Sequence, residues 1–136
     1  MAALTEGRTT KSREFKTVSR QMLTNVKIFE GSMVVLTAAG YAKPAVTGLS
    51  LKSQGRARAT VDNTGGASGA KTIEIDRGCF HYANSAAGDL ITIADLEGTA
   101  YLVDDQTVAK TDGGGTRSAA GTIVDVDALG VWIKFA

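Results

Sequence analysis

Cysteine, histidine, proline and aromatic residues are all scarce in this 136-residue chain, and each scarcity removes a class of explanation. The single cysteine, Cys79, excludes an internal disulfide framework and a zinc cluster built on thiolates. The single histidine, His81, leaves no second imidazole to complete a metal site. Aromatic residues make up 6% of the chain, too few to supply a sugar-stacking platform, so the carboxylate pairs do not read as a glycosidase pair. No apolar run approaches the roughly 18 residues that a membrane-spanning helix needs. The opening stretch MAALTEGRTTKSREFK has no apolar centre of the kind a secretory signal carries, so a soluble protein made in the cytoplasm is expected. Net charge is nearly absent too, at +1.

That small total hides an asymmetry. Residues 1–30 carry six basic and three acidic side chains, whereas the rest carry nine basic and eleven acidic ones. A basic leading segment on a slightly acidic body has the pattern of a docking arm, and an excess of three charges is too small to imply nucleic acid. Within this segment Phe15, Val18, Met22 and Leu23 follow helical spacing. The stripe is thin and the residues between favour no one state, so a short amphipathic helix and an extended arm both stay open.

What the chain has in quantity is small and β-branched residues, 43% hydrophobic side chains and 16 glycines. Such a composition supports a packed core and favours many short strands with many turns. VKIFEGSMVVLT reads as two short strands around Gly31-Ser32. Pro44, lacking an N–H, belongs on an edge strand or in a loop. KTIEID places Ile73 and Ile75 on one face, and GVWIKFA does the same for Val131, Ile133 and Phe135. GCFHYAN, DLITIAD, GTAYLVDD and GTIVDVD continue the pattern, with turn residues every 8–12 positions. The expected fold is all-β: a small sandwich or barrel of short antiparallel strands over residues 26–136, preceded by a basic arm over residues 1–25.

Several stretches invite a chemical reading. GGASGAKT, Gly65 to Thr72, misses the phosphate-binding loop pattern by one residue, with Ala70 where the second glycine belongs. The residues after Lys71 alternate as a strand, whereas a phosphate loop needs a helix there, so the stretch reads as a surface loop joining two strands. Cys79 and His81 share a strand face, which suits a nucleophile and base or two metal ligands. A buried cysteine and a half-exposed histidine on an ordinary strand explain them more simply. Asp104-Asp105 and Asp125-Val126-Asp127 lack the twelve-residue calcium loop and read as solvated carboxylates at strand ends. Arg56 and Arg58 share a face near a turn, where they suit either an acidic partner or a charged, soluble strand edge. Trp132 lies opposite the core stripe and fits a second core layer better than an interface anchor. No catalytic, cofactor-binding or metal site is expected, and the chain reads as a non-enzyme.

The order IFEGSMVVLTAAGYAKPA, GRARATVDNTGGASGAKTIEIDRGCFHYANS, AYLVDDQTVAKT and TRSAAGTIVDVDALGVWIKFA resembles a family of small structural proteins of tailed bacteriophages, the head decoration or cement proteins. The likeness covers roughly residues 26–136 and rests on the succession of turns and strands. It implies a virion protein on the capsid exterior, often a homotrimer, that ties neighbouring major capsid protein subunits together without catalysis, nucleic acid or membrane. Other small β components of the virion, such as a head-fibre base or a tail protein, share this architecture. On this reading the capsid contact is expected at Arg8, Lys11, Arg13, Phe15 and Lys16 of the arm, with Arg56 and Arg58 on the body.

Overall fold

Alternating apolar residues and frequent glycines give twelve short strands in the computed structural model, which describes residues 2–13 and 15–135. In chain order they are β1 (Thr17–Gln21), β2 (Lys27–Ile28), β3 (Met33–Leu36), β4 (Ala42–Pro44), β5 (Lys52–Ala57) and β6 (Val61–Asp62), then β7 (Thr72–Asp76), β8 (Gly78–Tyr82), β9 (Thr99–Leu102), β10 (Val108–Ala109), β11 (Ala119–Asp127) and β12 (Gly130–Phe135). The first sheet has the order β1-β7-β5-β3-β4, the second β10-β9-β11-β12-β8, and β2 pairs with β6 as a separate ribbon. All these pairings are antiparallel, so the all-β expectation holds. A single parallel bridge, Met22 to Ala42, joins the two ends of the first sheet, and a second, Ala83 to Thr107, does so for the other. Each sheet therefore curls far enough to meet itself.

β3 explains how the layers stack. Its four residues are apolar, as expected of a strand covered on both faces. Met33 and Val35 enter the core shared with the second sheet, beside Leu102, Val108, Ile123, Val131, Ile133 and Phe135. Val34 points the other way, into a core formed with Val18, Met22, Ile28, Ile73 and Ile75. The β2–β6 ribbon covers that second core through Ile28 and Val61. Each fully buried aliphatic side chain contributes roughly 1.5–3 kcal/mol, so β3 supports both cores at once. Its pairing with β5 includes a bulge, where Val34 faces Gly55 and Val35 faces Ser53. Gly55 sits at φ 142°, and a Cβ there would run into the Asp76 carbonyl.

The chain passes from the first sheet to the second at Arg77–Gly78, between β7 and β8. On the second sheet, Tyr82 reaches back and its hydroxyl donates to the Gly31 carbonyl at 2.8 Å. Burial lifts the Tyr82 phenol above its ordinary pKa and keeps it a neutral donor.

Several expectations need correction. The body begins at Thr17, because β1 pairs along its whole length with β7, so the arm is shorter than 25 residues. Residues 17–21 form a strand, with Val18 buried and Thr17, Ser19 and Gln21 exposed. The helical stripe fails because Val18 and Met22 are an even number apart, which puts them on one face of a strand as well. β2 and β3 flank Gly31-Ser32 as expected, but they pair with β6 and with β4 and β5, not with each other. DLITIAD contains no strand; its local structure is two single 3-10 turns, Ala87–Asp89 and Ile93–Asp95. Thr92 and Asp95 cap the second turn reciprocally, which outweighs the apolar alternation. Pro44 ends β4 at the edge of the first sheet, as its missing N–H requires.

Candidate functional site

Residues 2–13 have no regular structure and every one of them is exposed. Among the described residues, Arg8, Lys11 and Arg13 have no carboxylate within ion-pair distance. Leu4 is 69% exposed. Among the described residues, the arm is fixed at its root. There the Arg77 guanidinium lies 4.5 Å from the centre of the Phe15 ring, and the Arg77 N–H donates to the Lys16 carbonyl at 2.7 Å. Phe15 also lines a small cavity with Cys79, Lys134 and Phe135. Burial, with Arg20 nearby, pulls the Arg77 pKa down, although a guanidinium remains charged across the accessible range.

Arg56 and Arg58 behave differently. Arg56 Nη2 lies 3.1 Å from Asp76 Oδ2, and its guanidinium sits 4.2 Å from the centre of the Phe80 ring. Arg58 bridges to Glu74 at 3.2 Å and to Asp76 at 3.4 Å. Their charges are already answered within the body. The structure thus separates the seven basic and aromatic positions expected at a contact into an open arm, a packed root and a neutralised pair.

The Gly65–Thr72 stretch is held against residues 22–25 by hydrogen bonds. Asn63, buried, donates through its amide to the Leu23 and Ala67 carbonyls, while Asn25 N–H donates to Gly66 and Gly69 N–H to Met22. Lys71 Nζ donates to the Asp62 carbonyl at 2.6 Å, and a strand follows. This is a docked loop between β6 and β7.

On the outer face of the second sheet, Cys79 and His81 do share a side, with Lys134 and Trp132 as their register partners. Two details depart from expectation. Cys79 is exposed, and Trp132 is 39% exposed on an uncovered face instead of filling a second core layer. The centre of this face is Asp127, which sequence reasoning took for a strand-end carboxylate. Its Oδ1 accepts from the Leu129 and Gly130 N–H groups at 2.8 and 3.0 Å and lies 3.1 Å from His81 Nε2. Its Oδ2 accepts from Trp132 Nε1 at 3.2 Å, and the His81 and Trp132 rings are 5.0 Å apart. The Leu129 N–H above all, then His81 and Trp132, hold the Asp127 carboxyl below its usual pKa. The signal was legible: Asp127-Ala128-Leu129-Gly130 has Asp first and Gly fourth, the composition of a tight turn. At Gly130 a Cβ would meet the Tyr82 carbonyl and the His81 ring, so this turn needs glycine for space.

This hairpin tip forms one wall of a groove of about 590 Å³, with the 84–92 segment opposite. Leu90, Val126 and Leu129 line it, and Leu129 is 86% exposed. Asp127 lies in the lining and Asp125 on the adjoining strand. The wider setting is acidic. Residues 1–77, which build the arm, the first sheet and the ribbon, carry twelve basic and six acidic side chains; residues 78–136 carry three basic and eight acidic ones. Two of those three cations are engaged, Lys110 with Asp95 at 3.8 Å and Arg117 with Asp89 at 3.2 Å. Asp125, Glu97 and Asp112 have no ion-pair partner among the described residues. Comparison with protein-family models, with curated proteins and with solved structures gives no match to this chain.

Proposed function

We propose that this protein is a non-enzymatic virion component that binds the outer surface of a tailed-phage capsid and ties major capsid protein subunits together. The observation that carries the reading is the arm: residues 2–13 are basic, exposed and make no hydrogen bond to the body among the described residues, and the segment is rooted at Phe15 and Lys16. From Thr17 an extended chain reaches Leu4 over about 40 Å, at roughly 3.3 Å per residue. Such a segment gives a small rigid body a second point of attachment. Two attachments on one molecule raise the effective concentration at each, so weak contacts summed over several copies hold firmly. The succession of turns and strands over residues 26–136 supplies the phage context.

The test is co-sedimentation of the purified protein with expanded, empty heads of the phage that encodes it. Saturation at a fixed ratio to the major capsid protein supports the reading. No pelleting with intact heads overturns it and directs the search to the tail and fibres of the particle.

A further inference from the structure

The arm and the groove are open surfaces of complementary kind among the described residues: one is cationic with an apolar tip, and the other is apolar and set in the acidic half of the chain. The arm offers Arg8, Lys11 and Arg13 with an exposed Leu4; the groove offers Leu90, Val126 and Leu129, and its acidic lining residue, Asp127, is already held by its own turn. The same opposition holds at the scale of the molecule, since the arm-bearing half is basic and the groove-bearing half acidic. A chain charged this way repels a copy presented face to like face and attracts one presented head to tail. We infer that the groove between the 84–92 segment and the β11–β12 hairpin tip receives the N-terminal arm of a second copy of this chain, with Leu4 against Leu90 and Leu129 and the arm's cations over the acidic half around it.

The inference names the arm's immediate receptor and holds whether or not the assembly sits on a capsid. The contact joins two different surfaces, so each copy gives an arm and receives one. Repeated by a rotation that closes, it makes a ring; without closure it makes a filament. Exposed carboxylates and arm cations lie in solvent, so added salt screens their part of the attraction, while the leucine contact persists. Leu129 suits the task because the turn that displays it is fixed by Asp127 on the Leu129 and Gly130 backbone N–H groups and not by the Leu129 side chain. Its side chain can change without disturbing the hairpin.

Sedimentation velocity of the full chain tests this directly, using two variants that fail in complementary ways. Arg8→Glu/Lys11→Glu/Arg13→Glu reverses the arm and leaves the groove intact; Leu90→Ser/Leu129→Ser spoils the groove and leaves the arm intact. The wild-type protein is expected to sediment as an oligomer that weakens with added salt. Each variant alone is expected to be a folded monomer by circular dichroism, and an equimolar mixture is expected to form a one-to-one complex. A wild-type protein that stays monomeric overturns the inference, as does an oligomer that either variant leaves intact. Should the arm variant remain oligomeric but no longer pellet with empty heads, the arm contacts the capsid itself. The inference would then fall and the capsid reading stand. Should the mixture form its complex while wild type ignores heads, the reverse holds.

Discussion

The first and second sheets share their construction: five antiparallel strands, ends joined by one parallel bridge, and apolar residues drawn from the same few types. They differ in charge, the half containing the first being basic and the half containing the second acidic. Nothing in the packing requires this, because the cores are apolar on both sides of β3 and hold only uncharged side chains. Charge partition of this kind bears on association and solubility more than on fold. The comparison separates charges spent on building the molecule from charges left open on its surface. Arg56 and Arg58 belong to the building, paired across β5 and β7, while Arg8, Lys11 and Arg13 stay open.

If the sheets form one folding unit through β3, Met33→Ala should be the most damaging change. It empties a fully buried site in the shared core and should cost about 2–5 kcal/mol in urea unfolding. Trp132 fluorescence, which reports on the second sheet alone, should follow the same transition as far-ultraviolet circular dichroism. Separate transitions would break the claim that the sheets stand together. Tyr82→Phe removes the hydroxyl that joins the second sheet to the Gly31 turn of the first, and about 1 kcal/mol should be lost. An unchanged midpoint would mean that this link adds nothing.

Acid should act on the second sheet through Asp127. Its folded pKa is depressed, so its stabilisation is present above the unfolded value, about 3.9, and is lost as pH falls through the folded one. Asp127→Asn should therefore be the less stable protein at neutral pH, and the gap should narrow in urea titrations taken toward pH 3. A gap that stays constant would show that the carboxylate's charge is not what holds the turn. The smallest effect is expected at Arg56. Its ion pair is partly exposed, so Arg56→Met should shift stability by no more than about 1 kcal/mol and leave self-association unchanged. Loss of association in that variant would move Arg56 from the building charges to the open ones.

Much of the fold was legible where alternation ran unbroken. Ile73 and Ile75, or Val131, Ile133 and Phe135, can share a buried face only as strands. β1 was not, because its two core residues are spaced evenly enough for either period. The pairing partners of β2 and β3 were hidden as well, since a turn at Gly31-Ser32 does not say whether the strands beside it meet. For the candidate site, the basic character of the arm was plain, but the neutralisation of Arg56 and Arg58 depends on Asp76 and Glu74, distant in sequence and adjacent in the sheet. The groove was invisible for a similar reason. The 84–92 segment and the hairpin tip approach only because β8 and β12 pair.

The route from arm to body has a mechanical side. A pull on the arm enters at Thr17 and loads β1, whose five residues from Thr17 to Gln21 each face a partner on β7. Drawn along the strand axis, those hydrogen bonds resist together in shear; they are not peeled one at a time. β7 then runs through Arg77 and Gly78 straight into β8, so tension passes along a single stretch of chain from one sheet into the other. The anchor point of the arm is thus the place where a tether could be strained without first opening the fold.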